Sequence, residues 1–217
     1  QLDKNPSVFI ANEFFDSIPI KQFEKKKNVW FEKFVDLKSN NKSNFFEKKL
    51  NMKKYEKKIN LKISKNQKFL EISFEEYNII KELNKIIEKN GGCMLFIDYA
   101  YLKDKMEDTL QAVKKHKKVN IFNEVGNSDL SHLINIPYLK KITKQLNLEL
   151  VYNTQRNFLI NLGILKRAEI LAANKNFLEK ANIYYRINRL IDKKQMGELF
   201  KVICLYKKSS KFKLGFK

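Results

Sequence analysis

Two short apolar runs constrain this chain more than anything else in it. Val8-Phe9-Ile10 and Cys93-Met94-Leu95-Phe96-Ile97 are too short for helices and rich in strand formers, so each reads as a buried strand. Each closes abruptly on polar residues. Asn12, Glu13 and Asp16 follow the first, with Phe14 and Phe15 between them; Asp98 and Tyr99 follow the second. Ahead of the second run, Tyr77, Ile80, Leu83, Ile86 and Ile87 recur at helical spacing within 74–89, and Asn90-Gly91-Gly92 stops the helix with residues that accept positive φ. Helix, glycine turn and buried strand make an αβ unit, which implies a parallel sheet with right-handed crossovers. In such sheets ligands sit at the carboxyl ends of the strands, so the polar residues after each run are the expected floor of a site. The plainer alternative is helix capping by Asn12 or Asp16.

The remaining chain fits the same class. VWFEKFVDL (29–37) alternates and predicts a strand, with a hairpin to the preceding IKQF. Residues 38–68 read as a variable, mostly exposed insertion holding a strand and a short helix. FLEIS (69–73) leads into the helix already described. Residues 101–128 read as a long loop around a short helix, and Ser128, Asp129 or Ser131 as the cap of a helix running through Gln145. LELVYNTQ (148–155) predicts a third strand, two helices follow at about 156–172 and 175–191, and LFKVICLYKK (199–208) is a final strand. The expected organisation is one incomplete domain over 1–208 and a basic tail over 209–217.

Composition narrows the function. With 43% hydrophobic residues in 217, the chain can bury a real core. Its net charge of +20 invites a nucleic-acid reading. Only four of its cations are arginines, however, and bidentate recognition of phosphates and bases favours arginine, so nucleic-acid binding is not expected. Abundant Lys, Asn, Ile, Phe and Tyr match an AT-rich coding bias, with lysines forming a solvated surface. Cys93 and Cys204 read as buried thiols of a reducing compartment. His116 and His132 have no ligand-like spacing, so no metal site is expected, and His132 reads as an exposed helix residue. No apolar run approaches a membrane span. A chain that starts with Gln and enters a core strand within eight residues reads as one whose front is absent.

The segment ANEFFDSIPIKQF resembles the ANE(F/L)(F/L)D-x-(L/I)P segment of a family of S-adenosylmethionine-dependent methyltransferases. The family's eukaryotic members are mitochondrial complex I assembly factors that methylate an arginine. WFEKFV, FLEIS, GGCMLFIDY, DTLQAVKKHK, GNSDLS, TQRNFLINLGI and MGELFKV follow in the family's order. The resemblance implies the C-terminal part of a class I, Rossmann-like sheet with an insertion between its fourth and fifth strands. The strands at 8–12 and 93–99 would be those two. The strands at 148–155 and 199–208 would be the last two, the final one antiparallel between its neighbours. It also implies S-adenosylmethionine as cofactor, although none of the six glycines forms the family's glycine-rich loop. The first three strands would precede Gln1.

An arginine acceptor poses a physical problem: its guanidinium, with a pKa above about 12, must be held in one plane with nitrogen density on the attacking atom. Paired carboxylates do both. Glu13 and Asp16 are the candidate catalytic pair, and Asn12 the candidate contact to the cofactor. Asp98 and Tyr99 are candidate acceptor-pocket residues, while Gln111, His116, Asp129 and Gln155 match the family's polar positions. The expected partner is a protein substrate, with an oligomer or a missing N-terminal segment to complete the fold. The expected compartment is the bacterial cytoplasm, or alternatively the mitochondrial matrix. The competing function is a non-catalytic binding module that keeps the half-fold. A glycine-rich loop upstream of Gln1 in the parent gene would favour the enzyme, and a start codon near Gln1 the module.

Overall fold

The computed structural model describes residues 4–36, 43–115, 117–123, 125–210 and 215–216. The strands in chain order are β1 (Ser7–Asn12), β2 (Lys21–Lys26), β3 (Val29–Asp36), β4 (Asn44–Leu50), β5 (Phe69–Ile72), β6 (Gly92–Tyr101), β7 (Gln111–Lys114), β8 (Lys117–Val119), β9 (Asp129–Ser131), β10 (Ile134–Asn135), β11 (Leu148–Thr154) and β12 (Phe200–Lys207). The helices are α1 (Met52–Lys58), α2 (Phe74–Asn90), α3 (Ile136–Gln145), α4 (Gln155–Asn161), α5 (Ile164–Ala172), α6 (Phe177–Ile191) and α7 (Met196–Leu199). The chain divides into two compact units: residues 1–13, 83–100 and 143–217, and residues 14–82 and 101–142.

The first unit carries a sheet in the order β1-β6-β12-β11. β1 and β6 run parallel in the register Ser7↔Gly92 to Asn12↔Ile97. β12 is antiparallel to both β6 and β11. This is the expected arrangement of the four long strands. Its core includes Met94, Phe96, Phe200, Val202, Ile203 and Leu205, all at most 1% exposed. The free thiols of Cys93 and Cys204 are buried here, and burial pushes both pKa values up. The reading of β1 as a buried strand is corrected. It lies at the sheet edge, and Val8 and Ile10 point to solvent, at 61% and 69% exposure. An apolar run in sequence cannot say whether both faces of its strand are covered.

The second unit holds the insertion between β1 and β6, and that insertion is itself folded. Its antiparallel sheet has the order β4-β3-β2-β5. The β2–β3 hairpin turns at Lys27 and Asn28, both with positive φ, as a type I′ turn requires. The strand and helix expected in 38–68 are β4 and α1, and the described residues of this segment are mostly exposed, as expected, with Met52, Ile59 and Leu61 buried. A second small sheet has the order β8-β7-β9. It replaces the short helix expected in 101–128, because Gln111–Lys114 and Lys117–Val119 fold as the paired strands β7 and β8. Asp129 and Ser131 lie in β9 and do not cap α3. The cap is Asn135, whose side-chain oxygen accepts from the Tyr138 N–H at 2.7 Å. The helical stretch after β11 is three helices, since Gly163 (φ 82°) separates α4 from α5.

Candidate functional site

In the first unit the candidate residues gather at one edge of the sheet, where β1, β6 and β11 end and β12 begins. Asn12 and Glu13 are exposed at the end of β1. Glu13 adopts φ 47°, a left-handed conformation costly for a residue with a Cβ. Its backbone N–H donates to the Ile97 carbonyl at 3.0 Å, which ties the strained residue to β6. The Asn12 amide reaches the Glu13 carboxylate at 3.4 Å. One position beyond Ile97, Asp98 is only 1% exposed, and its carboxylate accepts from the Tyr99 N–H at 2.8 Å. The Tyr99 ring lies 4.2 Å from that of Phe200.

Lys201 stands opposite Asp98 in the β6–β12 register, a placement that the sequence reading missed. Burial holds its ammonium below the usual lysine range, with Glu198 opposing, and its Nζ donates to the Glu198 carbonyl. Only the pairing of β12 with β6 reveals it, since MGELFKV carries no local signal. Gln155 begins α4, and its side-chain amide donates to the Leu190 carbonyl at 2.9 Å. Arg156 caps the same helix end through Ile191 at 2.7 Å.

In the second unit Asp16 sits on the turn Phe15–Ser17 and is buried. Its carbonyl accepts from the His132 N–H at 2.9 Å. His132 is 5% exposed and outside any helix, which overturns its reading as an exposed helix residue. Its Nε2 has no hydrogen-bond partner. A lone histidine gives no local sign of burial in sequence, and only the packing of the segment between β9 and β10 encloses it.

In the second unit five residues, Glu71 of FLEIS, Asp108 and Thr109 of DTLQ, and Gln22 and Lys33, form a polar network that sequence reasoning did not assemble. Gln22 donates from Nε2 to Glu71 and to Asp108, each at 2.7 Å. Thr109 donates its hydroxyl to Glu71 and accepts from the Leu133 N–H at 2.8 Å. Lys33 pairs with Asp108 at 3.1 Å. Burial raises the Glu71 pKa, with the Thr109 and Gln22 bonds pulling it back. Each bond to the carboxylate is of the charge-assisted kind, roughly 1.5–3 kcal/mol. Together they fix the segment 108–110 that leads into β7.

Gln111 opens β7 opposite Ser131 and donates to its hydroxyl at 3.3 Å. Asp129, two residues earlier on β9, shares that face and is exposed. Gln111 also lines an open groove of about 490 Å³ with Phe45, Leu110, Lys118, Asn120 and Phe122. His116 lies outside the described residues. Among the described residues no cluster of His, Cys, Asp and Glu is arranged to hold a metal ion, and no helix is long and apolar enough to cross a membrane.

His132 gives a pH prediction. Its pKa is lowered from 6.5 by burial, with the Asp16 charge opposing. A depressed folded pKa means stability that is present above the unfolded value and lost as pH falls through the folded one. His132→Gln should therefore flatten the loss of stability between about pH 7 and 5, read by urea unfolding at each pH. Equal slopes for parent and variant would contradict the burial of a neutral ring.

A mixed sheet of this order, with its last strand antiparallel between neighbours, is that of a class I, Rossmann-like fold. The chain belongs to the family described as "Putative S-adenosyl-L-methionine-dependent methyltransferase", whose model matches residues 1–153. The family's cofactor is S-adenosylmethionine. The chain is 28% identical over 194 residues to "Protein arginine methyltransferase NDUFAF7, mitochondrial" of Danio rerio, covering 89% of this chain and 46% of that one. The human protein of the same name is 27% identical over 205 residues, covering 93% and 46%. The chain thus spans about half the length of the curated relatives it matches. A Burkholderia thailandensis protein crystallised with S-adenosyl-homocysteine shares the fold, with a TM-score of 0.73 and 19% identity over 100% of this chain and 56% of that one.

The residues present fit the rim of such a cofactor's site. An exposed amide and carboxylate stand at the strand ends, but no glycine follows β1 or β6 to let the backbone approach a ligand closely.

Proposed function

We propose that the protein to which this chain belongs transfers a methyl group from S-adenosylmethionine to an arginine side chain of a partner protein, in a role resembling respiratory-complex assembly. The observation that carries the reading is Glu13: a strained, exposed carboxylate held at the carboxyl end of β1 by a backbone bond to β6. Strain of this kind is retained where the surrounding structure enforces it, and it clusters at functional sites. The relatives' names supply the arginine and the protein acceptor, and their mitochondrial designation supports the matrix over the bacterial cytoplasm.

In this reading bound S-adenosylmethionine supplies a methyl group activated on a sulfonium. Glu13 pairs with the guanidinium fork, sets its plane and offsets its charge; Asp16, the other candidate carboxylate, is buried in the second unit. Asn12 holds the amino-acid end of the cofactor. Tyr99 lines the acceptor pocket, and Asp98 and Gln155, whose side chains are engaged with Tyr99 and Leu190, position the edge. Gln111, lining the groove, and Asp129 contact the protein substrate, as does His116.

Cofactor binding tests the reading. By calorimetry the 217-residue chain alone should show no measurable affinity for S-adenosylmethionine, and the upstream half of a relative, supplied in cis or in trans, should restore it. The edge position of β1 and its uncovered Val8 and Ile10 support this, because they leave a site where further strands add. Millimolar or tighter binding by the chain alone would show that other residues hold the cofactor. Failure of the upstream half to restore binding would favour the non-catalytic module.

A further inference from the structure

We propose that the helical hairpin α5–α6 is a docking surface for an acidic amphipathic helix of another protein. The inference stands apart from methyl transfer, since no candidate site residue lies on the hairpin.

The hairpin buries only one side. Ile183, Ile187 and Leu190 are half-buried and Ile191 is buried, on the side of α6 that packs against α4, α5 and α7. The opposite side is apolar and uncovered. Phe177 is 83% exposed, Leu178 77%, Tyr185 70% and, on α5, Ile170 66%. Phe177, Ala181 and Tyr184 follow at intervals of four and three, as do Leu178, Asn182 and Tyr185, so two adjacent stripes run along α6. The helix is well built: Asn176 and Glu179 form a capping box, and Gln155 and Arg156 close its far end. An apolar surface of several large side chains on a rigid element marks an interaction site.

Charge identifies the occupant. The hairpin holds two carboxylates, and both are already engaged: Glu169 with Lys166 at 2.9 Å and Glu179 with Lys175 at 3.0 Å. Arg167, Lys180, Arg186 and Arg189 have no carboxylate partner among the described residues. All four arginines of the chain lie in α4–α6, and three of them are on this surface. Exposed arginine beside exposed tyrosine is the composition of an interface centre. A second copy would set these cations against each other, whereas a helix with acidic flanks complements them. An upstream half of the fold would add at β1, while the hairpin follows β11 at the opposite edge of the sheet. Insertion into a bilayer would bury Glu179 and Asn182 with the aromatic rings, which disfavours a lipid surface.

The test uses the full chain and two fluorescent peptides about five helical turns long. Both carry leucine and phenylalanine on one face; one has glutamate on its flanks, the other lysine. The glutamate peptide should bind, more weakly as salt rises, and the lysine peptide should not. Phe177→Ser with Tyr185→Ser, and separately Arg186→Glu with Arg189→Glu, should each weaken binding about tenfold or more while leaving the circular dichroism unchanged. Equal binding of both peptides, or binding that neither double variant alters, would overturn the proposal. So would concentration-dependent dimerisation abolished by Phe177→Ser with Tyr185→Ser, or binding to phosphatidylglycerol vesicles in preference to the glutamate peptide.

Discussion

Gly92→Ala is expected to destabilise the protein by more than about 3 kcal/mol, the largest effect of a methyl group added at any of its glycines. Gly92 has φ +112°, and a Cβ there would stand 1.9 Å from the Ser7 carbonyl oxygen and 2.7 Å from the Ser7 nitrogen. Backbone atoms cannot rotate out of the way as a side-chain tip can. The collision falls on the first pair of the β1–β6 register, so relief requires the strands to part where their alignment begins. Gly91→Ala is the control. That residue also has positive φ, +81°, but its Cβ would meet only Pro6, at 3.7 Å. It should cost no more than the left-handed penalty of about 1–2 kcal/mol. Urea unfolding of the full-length protein measures both, and equal losses would mean that the close approach of β1 to β6 is not what Gly92 serves. Because β1 carries Asn12 and Glu13, Gly92→Ala should also abolish the proposed methyl transfer through their displacement.

On the proposed function, Glu13→Gln should lower methyl transfer about a hundredfold or more while leaving affinity for S-adenosylmethionine nearly unchanged. The amide keeps the size and left-handed backbone of Glu13 but loses the charge that offsets a guanidinium. Loss of cofactor binding without a fall in turnover of the bound enzyme would reassign Glu13 to the cofactor. Glu13→Gly separates strain from chemistry. Glycine adopts φ 47° freely, so this variant should be slightly more stable than the parent and equally inactive. A stability unchanged or lowered by Glu13→Gly would remove the argument that the backbone is held there at a cost.

The two apolar runs with polar ends, the helix with its glycine stop and the alternation at 29–37 carry enough local information to place β1, β6, α2 and the β2–β3 hairpin. Periodicity and turn chemistry act over a few residues, and those are the distances a sequence displays directly. The order of the four long strands was also legible, through the resemblance. Elements whose character depends on what covers them were not. Val8 and Ile10 are as apolar as the interior of β6, yet they face solvent because β1 stands at an edge. His132 is a polar residue, yet it is enclosed. The segment 111–119 is rich in lysine, and the pairing of β7 with β8 and β9, not its own propensity, makes it a sheet. The polar network around Glu71 joins Gln22, Asp108 and Thr109 from three distant segments, and Lys201 meets the site edge only through the register of β12. The sequence by itself determined the local elements and the polar character of the strand ends. Burial, pairing and long-range polar contacts were decided only by the tertiary structure, because each depends on residues far apart in the chain.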